Sequence, residues 1–327
     1  MTSPTSAATR AHAPIRVIWN GAAGFKAGLP TNRTGEDELR ARLAEHGLDG
    51  DVVASDSPED ARVATRAALA AGAAIVVAAG GDGTTGTVAT ELLGTRTALG
   101  ILPLGTVMNI ARSLDIPRDL DGAAALIAAG AARAIDVGEV DGRPFFEAGS
   151  VGLNAAMFRE ANRLDDGDWS SIVRTIWVAL RYRPARMTLE LDDRIVRTHA
   201  LMVVVANGPY TGLGMQVAPQ ARLDDGRFDV RVFRGFSKWE LLRHLASIAF
   251  GRYRYAPHVS TFRSARVTIT SAHPLPARAD ARDLGTTPVT FVVRPRALLV
   301  IAGRGGSSAV GTADAVPSTS PSDQSRQ

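Results

Sequence analysis

Apolar residues along this chain fall in short runs divided by turn-forming clusters, and the texture of those runs changes part-way. Ile15–Trp19, Ala74–Ala79 and Ala98–Leu102 are nearly continuous apolar runs, the pattern of strands buried on both faces. Between them lie segments with helical spacing. Thr34–Glu45 carries Leu39 and Leu43 among charges, and Ser57-Pro58-Glu59-Asp60 reads as a helix start. Ser57 suits the N-cap, Pro58 the first turn, and the acids the positive end of the dipole of a helix running through Ala61–Ala71. Further helices are expected over Thr85–Leu93, Thr106–Leu114 and Leu120–Ala129, with a short strand at Ala134–Val137. Strands alternating with helices predict a parallel sheet covered on both faces.

From about Gly138 the pattern becomes strand-like and β-branched, at Met187–Leu191, Ala200–Ala206, Phe228–Phe233, Ala265–Thr270 and Val289–Val293. Helices are expected at about Trp169–Tyr182 and Lys238–Phe250, and Leu298–Ala302 is a last apolar strand that can return to the first domain. The expected fold class is α/β: an N-terminal three-layer α/β nucleotide-binding domain over residues 15–137, then a β-rich, sandwich-like substrate domain over 138–297. Polar tails flank it at 1–14 and 304–327, rich in Ser, Thr, Pro and small residues and expected to be disordered.

Composition narrows the classes. At 327 residues and 45% apolar the chain can bury two cores. It has no cysteine, which excludes disulfides, thiolate metal sites and a cysteine nucleophile. The net charge is +4, carried by arginine apart from Lys26 and Lys238. No basic run is interleaved with aromatics, so a nucleic-acid partner is not expected. Met1–Pro14 lacks the apolar core of a secretory signal, and no segment reaches the roughly 18 apolar residues of a membrane span. A cytoplasmic location is expected, with peripheral contact to the inner face of the membrane.

The segment Ala74–Val88 carries the candidate chemistry. A buried strand runs into Gly80-Gly81-Asp82-Gly83-Thr84, with a helix directly after. Glycines let main chain approach a phosphate, and a helix N-terminus offers unpaired N–H groups and partial positive charge. Thr84 and Thr85 add hydroxyls. The bland alternative is a tight strand-to-helix turn with no ligand. Gly81, Gly83 and Gly86 satisfy G-x-G-x-x-G, but the dinucleotide fingerprint belongs after the first strand and needs an acid ending the next one. Here that strand ends in Leu102-Pro103-Leu104-Gly105-Thr106, and the Walker pattern is absent.

Those two glycine blocks, with Asn109-Ile110-Ala111-Arg112-Ser113-Leu114 and Ile116-Pro117, resemble the diacylglycerol kinase catalytic superfamily, which includes bacterial lipid kinases and sphingosine kinases. The Asn20–Gly24 turn, Gly149–Ala155 and the Ala206-Asn207-Gly208…Leu223-Asp224-Asp225-Gly226 blocks agree in order, so the resemblance spans about Ile15 to Ile301. It implies an ATP- and magnesium-dependent lipid kinase that transfers the γ-phosphate to a hydroxyl of diacylglycerol or a similar lipid at a membrane surface; a homodimer is compatible with it. Nucleotide contacts would come from Gly80, Gly81, Asp82, Gly83, Thr84, Thr85, Gly86 and Thr87, with Asn20, Ser55 and Thr106. Asp82 would also serve catalysis. Asn20 ending a strand, Ser55 in a loop and Thr106 capping a helix are the structural alternatives. Asp225, with the main-chain oxygens of Arg222 and Arg227, would hold magnesium; an Asp-Gly hairpin turn is equally consistent.

Departures from the family are specific. Gly86 and Thr87 stand where Asn and Glu are usual, and Val107-Met108-Asn109 replaces Asn then Asp or His. Ser55 stands where Thr is usual. The Asp-Gly-Glu segment reads Asp280-Ala281-Arg282, and an arginine cannot accept a proton at neutral pH. Asp280 is then the first candidate base and Asp283 the second. For the lipid, Ser171–Arg186 and Lys238–Phe250 combine apolar and basic residues as interfacial helices do, although such stripes also pack on a core. NAD kinase shares Gly-Gly-Asp-Gly-Thr and is the nearest competitor, but no Thr-Gly-Ser-Thr-Ala-Tyr-like segment follows. A non-catalytic nucleotide- or lipid-binding protein and a dehydrogenase are the other two.

Overall fold

The computed structural model describes residues 14–23, 25–26, 29–30, 34–48, 50–165, 174–175, 177–178, 181–234 and 259–303. The first half runs β1 (Ile15–Trp19), β2 (Phe25–Lys26), β3 (Leu29–Pro30), α1 (Glu36–Glu45), β4 (Asp51–Ala54), α2 (Pro58–Ala70), β5 (Ile75–Gly80), α3 (Asp82–Leu92), β6 (Ala98–Pro103), α4 (Asn109–Ser113) and α5 (Leu120–Ala129). The second runs β7 (Ala132–Val140), β8 (Arg143–Phe145), β9 (Ala148–Gly152), α6 (Leu153–Asp165), β10 (Ala185–Glu190), β11 (Ile195–Ala200), β12 (Met202–Ala206), β13 (Tyr210–Thr211), β14 (Met215–Gln216), β15 (Phe228–Phe233), β16 (Val259–Ser264), β17 (Arg266–Ser271), β18 (Pro276–Ala279), β19 (Arg282–Thr286) and β20 (Val289–Ile301).

The continuous apolar runs β1, β5 and β6 pair in parallel, with β5 and β6 almost wholly buried, and the short β4, not expected from the sequence, extends the sheet beside β1. Strands covered on both faces have no need of alternation. The helices begin where the capping chemistry says. Ser57 accepts the Asp60 N–H at the start of α2, and Asp119 accepts that of Gly122 at the start of α5, which ends on left-handed Gly130.

The two runs expected near the C-terminus are one strand. Along β20, Val289–Val292 pairs antiparallel with β17, while Val300 pairs in parallel with Leu99 of β6. β7 lines its other edge, with an irregularity between Arg294 and Leu298. A single sheet therefore continues from the parallel half into the antiparallel strands β17, β10 and β11. Against that end lies a second, antiparallel sheet, β16-β15-β12-β9-β18-β19. The rings of Phe145, Phe228 and Phe291 fill the space between, with centroids 5.6 and 5.8 Å apart. Gly138 and Gly149 are glycine because a Cβ there would collide with the rings of Phe145 and Phe291.

Three expectations change. Helix α3 starts at Asp82, so Asp82, Gly83 and Thr84 form its first turn and are not loop. Helix α4 starts at Asn109, because Met108 takes a left-handed conformation with φ 57°. The helix α6 and strands β2, β3, β4, β8, β9, β11, β13, β14, β16, β18 and β19 were not foreseen. The expected helix at 238–250 lies outside the described residues; of that at 169–182, residues 174–175, 177–178 and 181 are helical.

The glycines at the end of β5 act by close approach, none of them at positive φ. A Cβ on Gly80 would stand 2.7 Å from the Thr84 Cβ, and one on Gly105 would stand 2.7 Å from the Gly81 Cα. The turns after β5 and β6 thus lie back to back. Gly105→Ala must push main chain against main chain, and it should destabilise the protein by about 1–3 kcal/mol while displacing the α3 N-terminus. Chemical denaturation of the variant checks the first effect, and nucleotide affinity the second.

Candidate active site

The carboxyl ends of β1, β4 and β5 open onto a cleft of about 820 Å³, closed on its far side by residues that precede β9 and follow β18. Open parallel sheets bind ligands at such ends. Of the expected nucleotide contacts, Asn20, Ser55, Gly81, Asp82, Gly83, Thr84, Gly86 and Thr87 line this cleft. Gly80, Thr85 and Thr106 do not. Gly80 is buried in β5, Thr85 is wholly buried on the core face of α3, and Thr106 is exposed on the turn before α4. Thr106 caps no helix either, since α4 begins three residues later.

Gly81 is the N-cap of α3 and supplies no side-chain acceptor, so the first amides of the helix are uncapped from within. A Cβ on Gly83 would meet nothing within 4 Å. That combination leaves bare amides at the positive end of an 11-residue helix facing a cleft. Asn20 ends β1 and steadies the turn, its Nδ2 donating to Thr84 Oγ1 at 3.1 Å and its Oδ1 accepting the Ala22 N–H. Ser55 ends β4 and donates to the Ser57 carbonyl. These residues fit a polyphosphate anion, which would supply the acceptors that the amides lack.

Four carboxyl groups border the cleft, Asp56, Asp82, Glu147 and Asp280; Asp56 is exposed on the turn after β4, and the surroundings of the other three differ. Asp82 was expected to act in catalysis, but its two oxygens accept the N–H groups of Asn109 and Ile110 at 3.1 Å each, so it caps α4 from a distance of 27 residues. Burial pushes its carboxyl up, against the pull of those amides and of Arg112. Asp280 was expected to be the base. Its Oδ2 accepts the Phe146 N–H at 2.7 Å, and its Oδ1 accepts those of Glu147 at 2.9 Å and Ala148 at 3.2 Å. Asp280 sits at φ 46° to make this grip, and both of its oxygens are engaged by main chain. Burial pushes its carboxyl up against the pull of those amides, but both oxygens are turned to main chain and away from an acceptor lipid. Asp283, the second candidate, is exposed and clamped by Arg159 at 2.5 and 2.7 Å, which holds it below the usual aspartate range.

Glu147 is the group that the sequence did not single out. Its Oε2 accepts from Asn109 Nδ2 at 2.9 Å and from the Gly212 N–H at 3.2 Å. Its carboxyl is pushed up to about 8, first by desolvation and then by the negative charges of Asp280 and Asp82. The signal was present in Phe145-Phe146-Glu147-Ala148-Gly149, a lone charge within a buried run. Arg282, at the usual glutamate position, also lines the cleft, and its Nε and Nη2 are buried with no protein partner.

The magnesium turn lies elsewhere. Leu223–Gly226 is docked on buried Asp136, whose Oδ2 accepts the Gly226 N–H at 2.6 Å, and no residue of the turn lines the cleft. Asp225 Oδ1 accepts the Arg227 N–H, and Oδ2 faces Arg263 at 3.9 Å. Among the described residues, no group of three or more His, Asp or Glu side chains is placed to hold a metal. The expected set Arg222, Asp225 and Arg227 thus sits on a turn outside the cleft, between β14 and β15.

Both halves of the chain match known domains. Residues 14–140 match the diacylglycerol kinase catalytic domain, and residues 148–302 match the YegS C-terminal NAD kinase beta sandwich-like domain. A diacylglycerol kinase of Bacillus subtilis is 27% identical over 286 residues, 85% of this chain and 92% of that protein. One from Staphylococcus aureus is 24% identical over 295 residues, covering 88% and 91%. The crystal structure of a diacylglycerol kinase from Bacillus anthracis shares the fold with a TM-score of 0.67 at 18% identity, over 89% of this chain and 97% of the other. The two matched domains cover the chain in succession, and the chain is a lipid kinase of the diacylglycerol kinase catalytic superfamily.

Proposed function

We propose that this lipid kinase binds ATP across the N-terminus of α3 and transfers its γ-phosphate to a hydroxyl of diacylglycerol or a closely similar lipid. One observation carries the reading: uncapped amides beside side-chain-free Gly81 and Gly83 open onto a cleft large enough for a nucleotide. The orphaned Nε and Nη2 of Arg282 support it, since buried guanidinium donors without acceptors are costly and a phosphate oxygen would satisfy them. Phosphoryl transfer passes through a loose transition state, so positioning and charge neutralisation supply most of the catalysis. The amides of α3 hold the phosphate chain, Asn20 and Thr84 keep that turn in place, and Arg282 offers charge to the terminal phosphate. Magnesium would arrive on the phosphates of the nucleotide and there neutralise charge.

The lipid would be met at a membrane surface. No helix among the described residues is long and apolar enough to cross a bilayer. Trp177 is exposed with the Arg181 guanidinium 4.3 Å above its ring, a pairing suited to the headgroup region. The second expected lipid-facing stripe, Lys238–Phe250, lies outside the described residues.

Labelled ATP and magnesium incubated with vesicles containing diacylglycerol, sphingosine or phosphatidylglycerol, and separately with NAD, test the reading; label should enter a lipid. Gly83→Asp fits sterically but sets a carboxylate where phosphates bind, and kcat/KM should fall roughly 100-fold or more with Tm nearly unchanged. Transfer to NAD alone, or full activity of that variant, would sink the assignment. Arg282→Gln should raise the KM for ATP roughly tenfold or more, the loss of one charged hydrogen-bonding group. An unchanged KM would remove the arginine from the phosphate site.

A further inference from the structure

We infer that Glu147 is the catalytic base of this enzyme: it takes the proton from the lipid hydroxyl, a role that its own Arg282 and the engaged Asp280 cannot fill. The inference rests on the kinase reading above and adds the residue that moves the proton.

Geometry singles out Glu147 among the four cleft carboxyls, of which Asp56 is exposed on the turn between β4 and α2. Asp82 and Asp280 are tied to main-chain amides through both oxygens. Glu147 is held through Oε2 alone, by Asn109 and Gly212, and among the described residues no donor meets Oε1. It lines the same cleft as the Gly83 turn. The neighbours that fix its orientation come from two other elements, α4 and the turn after β13, and its main chain is pinned by Asp280. Asn109 presents the amide as donor because its Nδ2 also donates to the Gly212 carbonyl.

The step balances simply. The lipid hydroxyl oxygen forms its bond to the γ-phosphorus as the bond from that phosphorus to the β–γ bridging oxygen breaks. The hydroxyl proton passes to Glu147 Oε1, ADP leaves with the bridging oxygen, and Glu147 returns the proton to solvent. The base form is the carboxylate. The charged groups facing it are Asp82 at the start of α3, Asp280 at the end of β18, and Arg278 on β18, whose attraction partly offsets the two acids. Because the resultant shift is upward, the active form accumulates as pH rises toward about 8.

The same shift has a sign for stability. The folded state keeps the proton from about pH 4.3, where an unfolded glutamate loses it, up to about 8, so stability falls as pH rises across that window. Glu147→Gln keeps an acceptor for Asn109 and Gly212 but carries no charge. Its apo form should therefore lose less Tm between pH 6 and 9 than the wild type.

The test is a pH–rate series with labelled ATP and diacylglycerol vesicles, on wild type and Glu147→Gln, with ATP binding followed separately. Wild-type kcat should climb through an ascending limb near pH 8. The variant should lose roughly 100-fold or more in kcat, the usual contribution of a general base, and lose the limb, with ATP still bound. A purely structural Glu147 would leave the glutamine variant active and the limb in place. That result overturns the inference and spares the kinase reading. Wild type that binds ATP but phosphorylates no lipid overturns both. Should the variant fail to fold, a wild-type rate that is flat between pH 6 and 9 is itself decisive against Glu147.

Discussion

The cleft depends on one carboxylate that does no chemistry. Asp280 gathers the N–H groups of Phe146, Glu147 and Ala148, joining the end of β18 to the start of β9. Without an acceptor those three amides would be left unpaired in a part-buried position, at a cost of about 1–3 kcal/mol each. With it, the main chain is fixed and the Glu147 side chain emerges at one defined place. Asp280 adopts a left-handed φ for this purpose, a conformation that aspartate tolerates better than most residues. Arg278 donates to the Asp280 carbonyl and lies over the Phe158 ring at 3.6 Å, so α6 braces the same corner.

The same device recurs at two other joints. Asp82 satisfies the first amides of α4, which has no capping side chain of its own. Buried Asp136 takes the Gly226 N–H through one oxygen and the Arg296 N–H through the other, where β20 passes from the antiparallel sheet to the parallel one. In each case an acid from one segment satisfies main-chain donors of another, and a loop acquires a fixed position. Conserving backbone hydrogen bonds explains these aspartates better than catalysis does.

How far the sequence could be read follows from this. Most of the parallel half was legible because its signals are local: continuous apolar runs, Ser57 as a cap, glycines where β5 meets α3; its edge strand β4, only four residues long, was missed. The strand β9 was not, because Ala148–Gly152 is poor in β-branched residues; Gly149 is there to clear the Phe291 ring, a residue 142 positions away. Roles of the acids were illegible for a similar reason. Asp280 meets its partners across 132 to 134 residues, Asp82 across 27 and 28, and Glu147 meets Asn109 across 38. A motif fixes which residues are present, but which acid keeps its proton depends on neighbours that only folding supplies. The resemblance identified the family, while the departure at Arg282 could only be interpreted once Glu147 was seen in the same cleft.

Four acids around a site for a triphosphate, Asp56 exposed to solvent and the other three within the protein's own surroundings, look like an electrostatic contradiction. The structure resolves it by treating each differently. Burial pushes the Asp82 and Asp280 carboxyls up, with main-chain amides pulling the other way, and at neutral pH Glu147 largely keeps its proton and adds little repulsion. Binding of an anion beside it favours that neutral form, and linkage requires the converse: the protonated enzyme binds the nucleotide more tightly. Turnover needs the opposite state, the carboxylate. The cleft therefore balances affinity for ATP, which protonation favours, against readiness to accept a proton. A base with an ordinary glutamate pKa would be ionised throughout the neutral range and would stand as a full negative charge beside the phosphates during binding. Desolvation of Glu147, by delaying its ionisation, reconciles the two requirements within one side chain.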